Sequence, residues 1–267
     1  MNSLGYALVD WIEVHLCHGP GDIEGERITL DDEFAAFIIR AYAVADDGKR
    51  KIRRAVLSRP KGRAKSELAA FLAIAEAFGP VRFSHFAAAG EVSEWGYTYT
   101  EGEPVGQRVK RPEVLCFATE YGQAGNTYDA VRYICSQSEP LREAHPGIDV
   151  GLTRIIVPDG GQITPESAAD SSKDGGKSTF VVFDETHLWT LPRLSRLRNT
   201  TWCSRFKRGN VQRCVSSKTT NVDLPPSLLL SAADSGVICP PSGTMMRVSP
   251  TSIPGCASRN GSDCEQM

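Results

Sequence analysis

Residues 53–78 read RRAVLSRPKGRAKSELAAFLAIAEAF, and this stretch predicts the centre of the fold. The first six residues are a short β-prone run, and residues 66–78 form an Ala-rich segment of strong helix propensity. A loop rich in basic residues separates the two. A strand, a loop and a helix in this order favour a phosphate-binding loop, because a helix start presents backbone N–H groups to an anion.

The end of this loop matches part of the pattern G-x-x-x-x-G-K-[ST], in which the lysine contacts phosphate groups and the hydroxyl coordinates Mg²⁺. Lys65 and Ser66 occupy the last two positions, whereas Arg59 and Ala64 stand where the pattern has glycine. A basic surface loop before a helix is the alternative interpretation. The candidate nucleotide-binding residues are Lys61, Gly62, Arg63, Ala64, Lys65 and Ser66.

A second candidate is the run FVVFDE at residues 180–185. Four apolar residues indicate a buried strand, which would place Asp184 and Glu185 at the edge of a sheet. Asp184 would then hold Mg²⁺ together with Ser66, and Glu185 would polarise the attacking water. A strand ending in solvated carboxylates is the alternative. The order of the two motifs, about 120 residues apart with β and α segments between them, favours a site for ATP and Mg²⁺.

The rest of the chain predicts alternating helices and strands, and therefore an α/β fold with a mainly parallel sheet flanked by helices. Thr29 is the predicted cap of the second helix. Residues 80–112 predict an irregular excursion or a hairpin outside the core, and residues 158–177 predict a polar surface loop. The predicted helices are 4–16, the segment after Thr29 and 126–138, and the further strands are 114–119, 154–157 and 179–183.

The composition of the chain excludes few classes of function. The net charge of −2 gives no bulk attraction to nucleic acid, so any DNA contact must come from a local patch or from several subunits. No apolar run approaches the roughly 20 residues that span a bilayer, and the first residues do not read as a signal peptide, which predicts a cytoplasmic protein without membrane contact. The eight cysteines lack metal-ligand spacing and predict reduced thiols.

The composition changes after about residue 210. Residues 211–267 contain no Phe, Tyr or Trp and are rich in Ser and Pro, without a sustained period. This predicts a disordered C-terminal tail with no packed element.

Three runs around the two motifs resemble the large terminase subunits of actinobacterial phages and prophages. They are SRPKGRAKSELAA at 58–70, ATEYGQAGNTYDAV at 118–131 and SSKDGGKSTFVVFDETHLW at 171–189, and the resemblance extends over roughly residues 5–200. It implies a P-loop NTPase of the additional-strand, RecA-like class, incomplete here. It also implies an ATPase that drives double-stranded DNA into a procapsid, as a homo-oligomeric ring acting with a portal protein and a small terminase subunit in the host cytoplasm.

The resemblance also implies roles for particular residues. Lys65 and Ser66 match the phosphate and Mg²⁺ residues of the family's Walker A loop, and Asp184 and Glu185 match its Walker B acid pair. An arginine early in the loop is expected to act as a sensor or finger, and Arg59, Lys61 or Arg63 could supply it. Arg59, Lys65 and Glu185 are the expected catalytic residues.

The predicted organisation is a helical segment over 1–50, an ATPase core over 51–208 and the tail over 209–267. The family's coupling strand, which ends in Ser or Thr, and its nuclease domain are not visible after about residue 200. We therefore hypothesise a frameshift in this region, and an alternative function: a decayed prophage remnant that binds nucleotide but neither moves nor cleaves DNA. We do not expect a helicase, since the roughly 80 residues after Glu185 are too few for a second RecA-like half.

Overall fold

The structure is a computed structural model that describes residues 1–60, 62–118, 121–158, 160–167, 178–184 and 213–219. Residues 118, 121–126, 167 and 213–219 are described by their backbone. The helices are α1 (Gly5–His15), α2 (Asp32–Ala41), α3 (Lys65–Phe78), α4 (Tyr121–Gln137) and α5 (Glu139–Ala144). The strands are β1 (Arg54–Arg59), β2 (Arg82–Phe86), β3 (Pro104–Gln107), β4 (Glu113–Ala118), β5 (Asp149–Val150), β6 (Ile155–Ile156), β7 (Gln162–Ser167), β8 (Phe180–Phe183) and β9 (Arg213–Thr219).

Seven strands form one sheet in the order β1-β9-β8-β4-β7-β6-β5. The five strands from β1 to β7 in that order pair in parallel, and the short strands β6 and β5 extend the sheet in antiparallel fashion. The strands β2 and β3 form a separate antiparallel hairpin. The mixed α/β class and the mainly parallel sheet are therefore confirmed, as is the hairpin within residues 80–112.

Helix α3 lies at the centre of the hydrophobic core. From Leu68 to Phe78 every one of its residues is buried, because the helix contacts the sheet, α4 and α1. Its many alanines allow this close approach, since a small side chain leaves room for neighbouring elements on all sides. The helices α1 and α2 contribute to the same core as α3 and α4.

Most predicted elements are present, with shifted ends. The predicted strand at 53–58 is β1, and the predicted helix at 66–78 is α3, which begins one residue earlier. Helix α4 begins at Tyr121, five residues before its predicted start. The predicted cap of α2 was wrong: Asp31 caps the helix, and its carboxylate accepts a hydrogen bond from the Phe34 N–H at 2.6 Å.

Two strands lie where the sequence predicts none. Residues 162–167 form β7, although 158–177 was predicted to be a loop, and residues 213–219 form β9 inside the predicted tail. The prediction of no packed element after residue 210, with a core ending at 208, was therefore wrong. Both segments are polar, but each pairs with strands on both sides, so pairing overrides the weak sequence signal.

Among the helices in the described ranges, none is both long and apolar enough to cross a membrane.

Candidate nucleotide site

The loop between β1 and α3 has an unusual backbone at two positions. Gly62 has φ +75° and Ala64 has φ +49°, and both values lie in the left-handed region. Within the described residues Ala64 is the only non-glycine with positive φ. Ala64 stands where the phosphate-loop pattern has glycine, so the chain adopts the backbone conformation that glycine favours at that position without having the glycine.

Lys65 is the first residue of α3, and its side chain is buried. The ammonium group donates a hydrogen bond to the Pro60 carbonyl at 2.8 Å, so the side chain folds back across the loop. This places a positive charge beside the backbone N–H groups of the helix start. A lysine charge and a helix N-terminus both favour an anion.

Ser66 and Asp184 are in direct contact although 118 residues separate them. The Ser66 hydroxyl donates to Asp184 Oδ2 at 3.0 Å, and the Thr127 hydroxyl donates to the same oxygen at 2.6 Å. Asp184 is buried, and its backbone N–H donates to the Phe117 carbonyl at 2.9 Å. The carboxyl ends of β1 and β8 meet at one edge of the sheet, and this brings the predicted loop and the predicted acid together.

The oxygen atoms at this contact fit a magnesium ion. Mg²⁺ prefers hard oxygen ligands in octahedral geometry at roughly 2.0–2.1 Å, which puts adjacent ligands roughly 2.9 Å apart. The hydroxyl of Ser66 and the carboxylate of Asp184 are such ligands, 3.0 Å apart. The described residues contain no group of three or more His, Cys, Asp or Glu that could hold a metal. A site of one carboxylate and one hydroxyl suits Mg²⁺ that is also held by substrate phosphates and water.

The Arg59 side chain lies against α2 and also approaches the Arg63 carbonyl of the loop at 3.5 Å. Its guanidinium donates to Glu33 at 2.7 Å and lies 3.5 Å from Asp31, and its Cζ stacks 4.4 Å from the centre of the Phe34 ring. To act as the expected sensor or finger, the side chain would have to leave two carboxylates and an aromatic ring. Its catalytic role stays a prediction.

Glu67 connects the loop to the N-terminal segment. Its carboxylate accepts a hydrogen bond from the Gly19 N–H at 3.0 Å and lies 3.0 Å from His18 Nδ1. The chain that follows α1 is therefore fastened beside the first turn of α3. Sequence reasoning missed Glu67 and Thr127, since neither belongs to a recognised pattern and each contact joins distant parts of the chain.

The remaining predicted site residues divide into two groups. Gly62 and Arg63 are exposed on the loop. Lys61 and Glu185 lie outside the described residues, so their predicted roles stay predictions. Cys116 is not a candidate nucleophile: burial, and secondarily the charge of Asp184, raise the pKa of its thiol to about 12.

A solved structure has a fold similar to that of this chain. The crystal structure of the HK97 bacteriophage large terminase matches the chain with a TM-score of 0.57 and 18% sequence identity, covering 81% of this chain and 38% of that one. At this identity the likeness shows the fold. The chain thus has a mixed α/β fold similar to that of a phage large terminase.

Two sequence relatives come from mycobacterial phages. The chain is 29% identical over 203 residues to the Gene 13 protein of Mycobacterium phage L5, and 27% identical over 207 residues to the Gene 13 protein of Mycobacterium phage D29. Each match covers 76% of this chain, which spans about a third (32%) of the relatives' length. No protein-family model matches the sequence.

Proposed function

We propose that this chain is the ATP-binding and ATP-hydrolysing part of a phage DNA-packaging motor of the large terminase type. The observation that carries the proposal is the contact of Ser66 with Asp184 beside the loop that ends in Lys65. A phosphate-binding loop and a carboxylate from a neighbouring part of a parallel sheet are the parts that position Mg²⁺ and ATP for phosphoryl transfer.

In this proposal Mg²⁺ would neutralise charge on the transferring phosphate, and the chain's own residues would hold and orient the reactants. Ser66 and Asp184 would hold the ion. Lys65 would exchange the Pro60 carbonyl for phosphate oxygens, and the N–H groups at the start of α3 would donate to the remaining phosphate oxygens. Thr127 would fix the orientation of Asp184, and Glu185 would polarise the attacking water.

The position of β9 supports the P-loop class of additional-strand type. This strand lies between β1, which leads into the loop, and β8, which ends at Asp184. One strand inserted between these two is the feature after which that class is named. We propose that β9, which ends in Lys218 and Thr219, is the Ser/Thr-terminated strand that would transmit hydrolysis to a DNA-gripping element. This proposal replaces the hypothesis of a frameshift before this strand.

The partners in this proposal are those that the resemblance to large terminase subunits implies. Double-stranded DNA would be the substrate that is moved, inside the host cytoplasm. A homo-oligomeric ring, a portal protein and a small terminase subunit would complete the motor. Nuclease activity is not proposed for this chain.

An ATPase assay on the purified chain tests the proposal. Lys65→Ala and Glu185→Gln should each lower the rate at least about 100-fold, because each removes a group that acts in the transition state. Lys51→Ala and Glu101→Gln alter exposed residues of the same types and should leave the rate unchanged.

Two outcomes would decide between the motor ATPase and the alternative function. If neither Lys65→Ala nor Glu185→Gln reduces the rate of hydrolysis, the candidate nucleotide site is rejected. Binding of Mg²⁺-ATP without hydrolysis would instead support the alternative of a nucleotide-binding remnant.

A further inference from the structure

Arg59 joins the first turn of α2 to the start of the β1–α3 loop, which comprises residues 60–64. Its guanidinium donates a hydrogen bond to Glu33 at 2.7 Å, lies 3.5 Å from Asp31 Oδ2 and stacks 4.4 Å from the centre of the Phe34 ring. Only 14% of the arginine side chain is exposed. Because its N–H groups and its flat face are both in contact with α2, the guanidinium is held in one orientation.

The same guanidinium also contacts the end of the β1–α3 loop. Arg59 Nη1 donates a long hydrogen bond, at 3.5 Å, to the carbonyl oxygen of Arg63. The C=O and the N–H of a trans peptide point in opposite directions, so the N–H of Ala64 points away from Arg59. The contact with Arg59 therefore fixes the orientation of the peptide unit that leads into the left-handed residue Ala64.

The backbone of the β1–α3 loop changes hand from one residue to the next. Gly62 and Ala64 have φ values of +75° and +49°, and Arg63 between them does not have positive φ. An alternation of this kind is typical of the concave arrangements of backbone N–H groups that bind anions. A left-handed alanine is unfavourable by itself, so such a backbone persists only where surrounding contacts hold it. The hydrogen bond from Arg59 is one of these contacts.

The chain on the far side of the β1–α3 loop is held by other contacts. Glu67 in the first turn of α3 accepts a hydrogen bond from the Gly19 N–H at 3.0 Å, and Lys65 donates to the Pro60 carbonyl at 2.8 Å. Helix α3 itself is buried from Leu68 to Phe78. Loss of the contacts of Arg59 would therefore loosen the loop without detaching the helix that follows it.

We propose that Glu33 and Asp31 are positioning residues that act through Arg59, and that Arg59 orients the β1–α3 loop for nucleotide phosphates instead of acting on the γ-phosphate. The identity of the anion rests on the proposed function. This role differs from the sensor or finger that the resemblance implies, because the guanidinium is already in contact with α2 and with the loop. An arginine that orients the loop affects the binding of ADP and ATP alike, whereas a finger stabilises the transferring phosphate.

Nucleotide binding and hydrolysis by the purified chain test this role. Glu33→Ala and Arg59→Gln should each weaken the binding of ADP and of a non-hydrolysable ATP analogue by a similar factor, at least about 5-fold, because each removes a charge-assisted hydrogen bond. The loss of hydrolysis should be a rise in KM and not a fall in kcat. The double variant should bind within about 2-fold of the weaker single variant, since both changes act through one contact.

Asp32→Ala is the matched control, because it removes a carboxylate from the same turn of α2 at an exposed position that Arg59 does not contact. Its affinities should equal those of the unaltered chain. A second measurement needs no nucleotide: trypsin cleaves after Arg63, which is exposed on the loop, and mass spectrometry follows this cut. Cleavage should be at least about 3-fold faster in Glu33→Ala than in Asp32→Ala, because a loosened loop opens more often.

The outcomes separate this inference from the proposed function. If Arg59→Gln weakens binding of the ATP analogue but not of ADP, or lowers kcat at an unchanged KM, Arg59 acts on the γ-phosphate and the inference is overturned. Equal effects of Glu33→Ala and Asp32→Ala overturn it as well. If the unaltered chain binds neither nucleotide while Glu33→Ala still accelerates cleavage after Arg63, the proposed function fails, and the orientation of the loop by Glu33 and Arg59 stands.

Discussion

At the scale of single residues, Ala64 is the most informative position, because it has a left-handed backbone without being glycine. This conformation costs roughly 1–2 kcal/mol for an L-residue, and a β-branched side chain tolerates it least. We expect Ala64→Gly to bind Mg²⁺-ATP at least as tightly as the unaltered chain, and Ala64→Val to bind it at least about 10-fold more weakly. Titration calorimetry measures both. Ala89→Val, at an exposed position outside the helices, is the control; equal affinities for Ala64→Val and the unaltered chain would contradict the strained-loop geometry.

Thr127 is expected to act as a positioning residue for Asp184. Its hydroxyl donates to the carboxylate at 2.6 Å in a buried setting, and a hydrogen bond to a charged group contributes roughly 1.5–3 kcal/mol. Thr127→Val keeps the shape but removes the donor, so the free energy of unfolding should fall by about that amount. Thr127→Ser retains the donor and should recover at least half of the loss.

Urea unfolding without nucleotide measures these differences in stability. The same change at Thr100, which is exposed, should alter stability by less than about 0.5 kcal/mol. If Thr127→Val lowered the free energy of unfolding no more than Thr100→Val does, the Thr127 hydroxyl would not be stabilising the position of Asp184.

His145 gives the fold a dependence on pH. Burial first, and then the charges of Arg108 and His15, lower the pKa of its imidazole from 6.5 to about 4. The unfolded chain therefore binds more protons between these two values, so stability falls as the pH drops from 6.5 towards 4. His145→Phe, which can still pack on Phe78, should reduce the difference in unfolding free energy between pH 7 and pH 5.

The measurement for His145 is urea unfolding at the two pH values. Burial also lowers the pKa of His15. In the His145→Phe variant, His15 should therefore leave a smaller dependence of the unfolding free energy on pH, of the same sign. An unchanged difference between pH 7 and pH 5 in His145→Phe would show that this imidazole does not titrate as the structure indicates.

At the scale of elements, a buried ion pair fastens the β2–β3 hairpin to the central helix. Glu76 of α3 is fully buried; it accepts hydrogen bonds from Arg82 of β2 at 2.7 Å and from the Tyr42 hydroxyl at 3.0 Å. Arg82→Met would remove a charged donor from a fully buried carboxylate and should lower the free energy of unfolding by about 1.5–3 kcal/mol, the usual contribution of a hydrogen bond to a charged group.

The double variant Glu76→Gln/Arg82→Met should be more stable than Arg82→Met alone, because it removes the buried charge that Arg82 no longer neutralises and keeps an acceptor for Tyr42. Chemical unfolding of the single and double variants measures this. If the loss of unfolding free energy in the double variant equals the sum of the losses in the two single variants, Glu76 and Arg82 stabilise the fold independently.

The elements also show what a single sequence can predict. The strand β1, the helix α3 and the strand β8 have strong local signals, either an apolar run or a high helix propensity, and these were predicted. The strands β7 and β9 are polar, and β7 contains Pro165. Their strand structure comes from pairing with neighbours that are distant in sequence, which no local pattern records.

The same limit applies to the candidate site. Lys65, Ser66 and Asp184 could be chosen from motifs, because their residue types and spacing follow from the chemistry of phosphate and Mg²⁺. Thr127 and Glu67 could not, since their contacts with Asp184 and Gly19 exist only in the folded chain. The left-handed backbone of Ala64 could not be predicted either, because alanine departs from the pattern and does not favour this conformation.

At the scale of the whole molecule, the parallel sheet joins two distant parts of the sequence into one site. Ser66 and Asp184 come together because β1 and β8 are parallel strands of the same sheet.

The most direct test of the central claim is stabilisation of the chain by ATP with and without Mg²⁺. With Mg²⁺ and ATP at about 100 times the dissociation constant, the unfolding free energy should rise by about 2.7 kcal/mol. Asp184→Asn and Ser66→Ala should lose the part of this rise that depends on Mg²⁺, and should match the unaltered chain when Mg²⁺ is removed. Stabilisation by Mg²⁺-ATP that is undiminished in Asp184→Asn, or absent from the unaltered chain, would contradict a nucleotide site at Ser66 and Asp184.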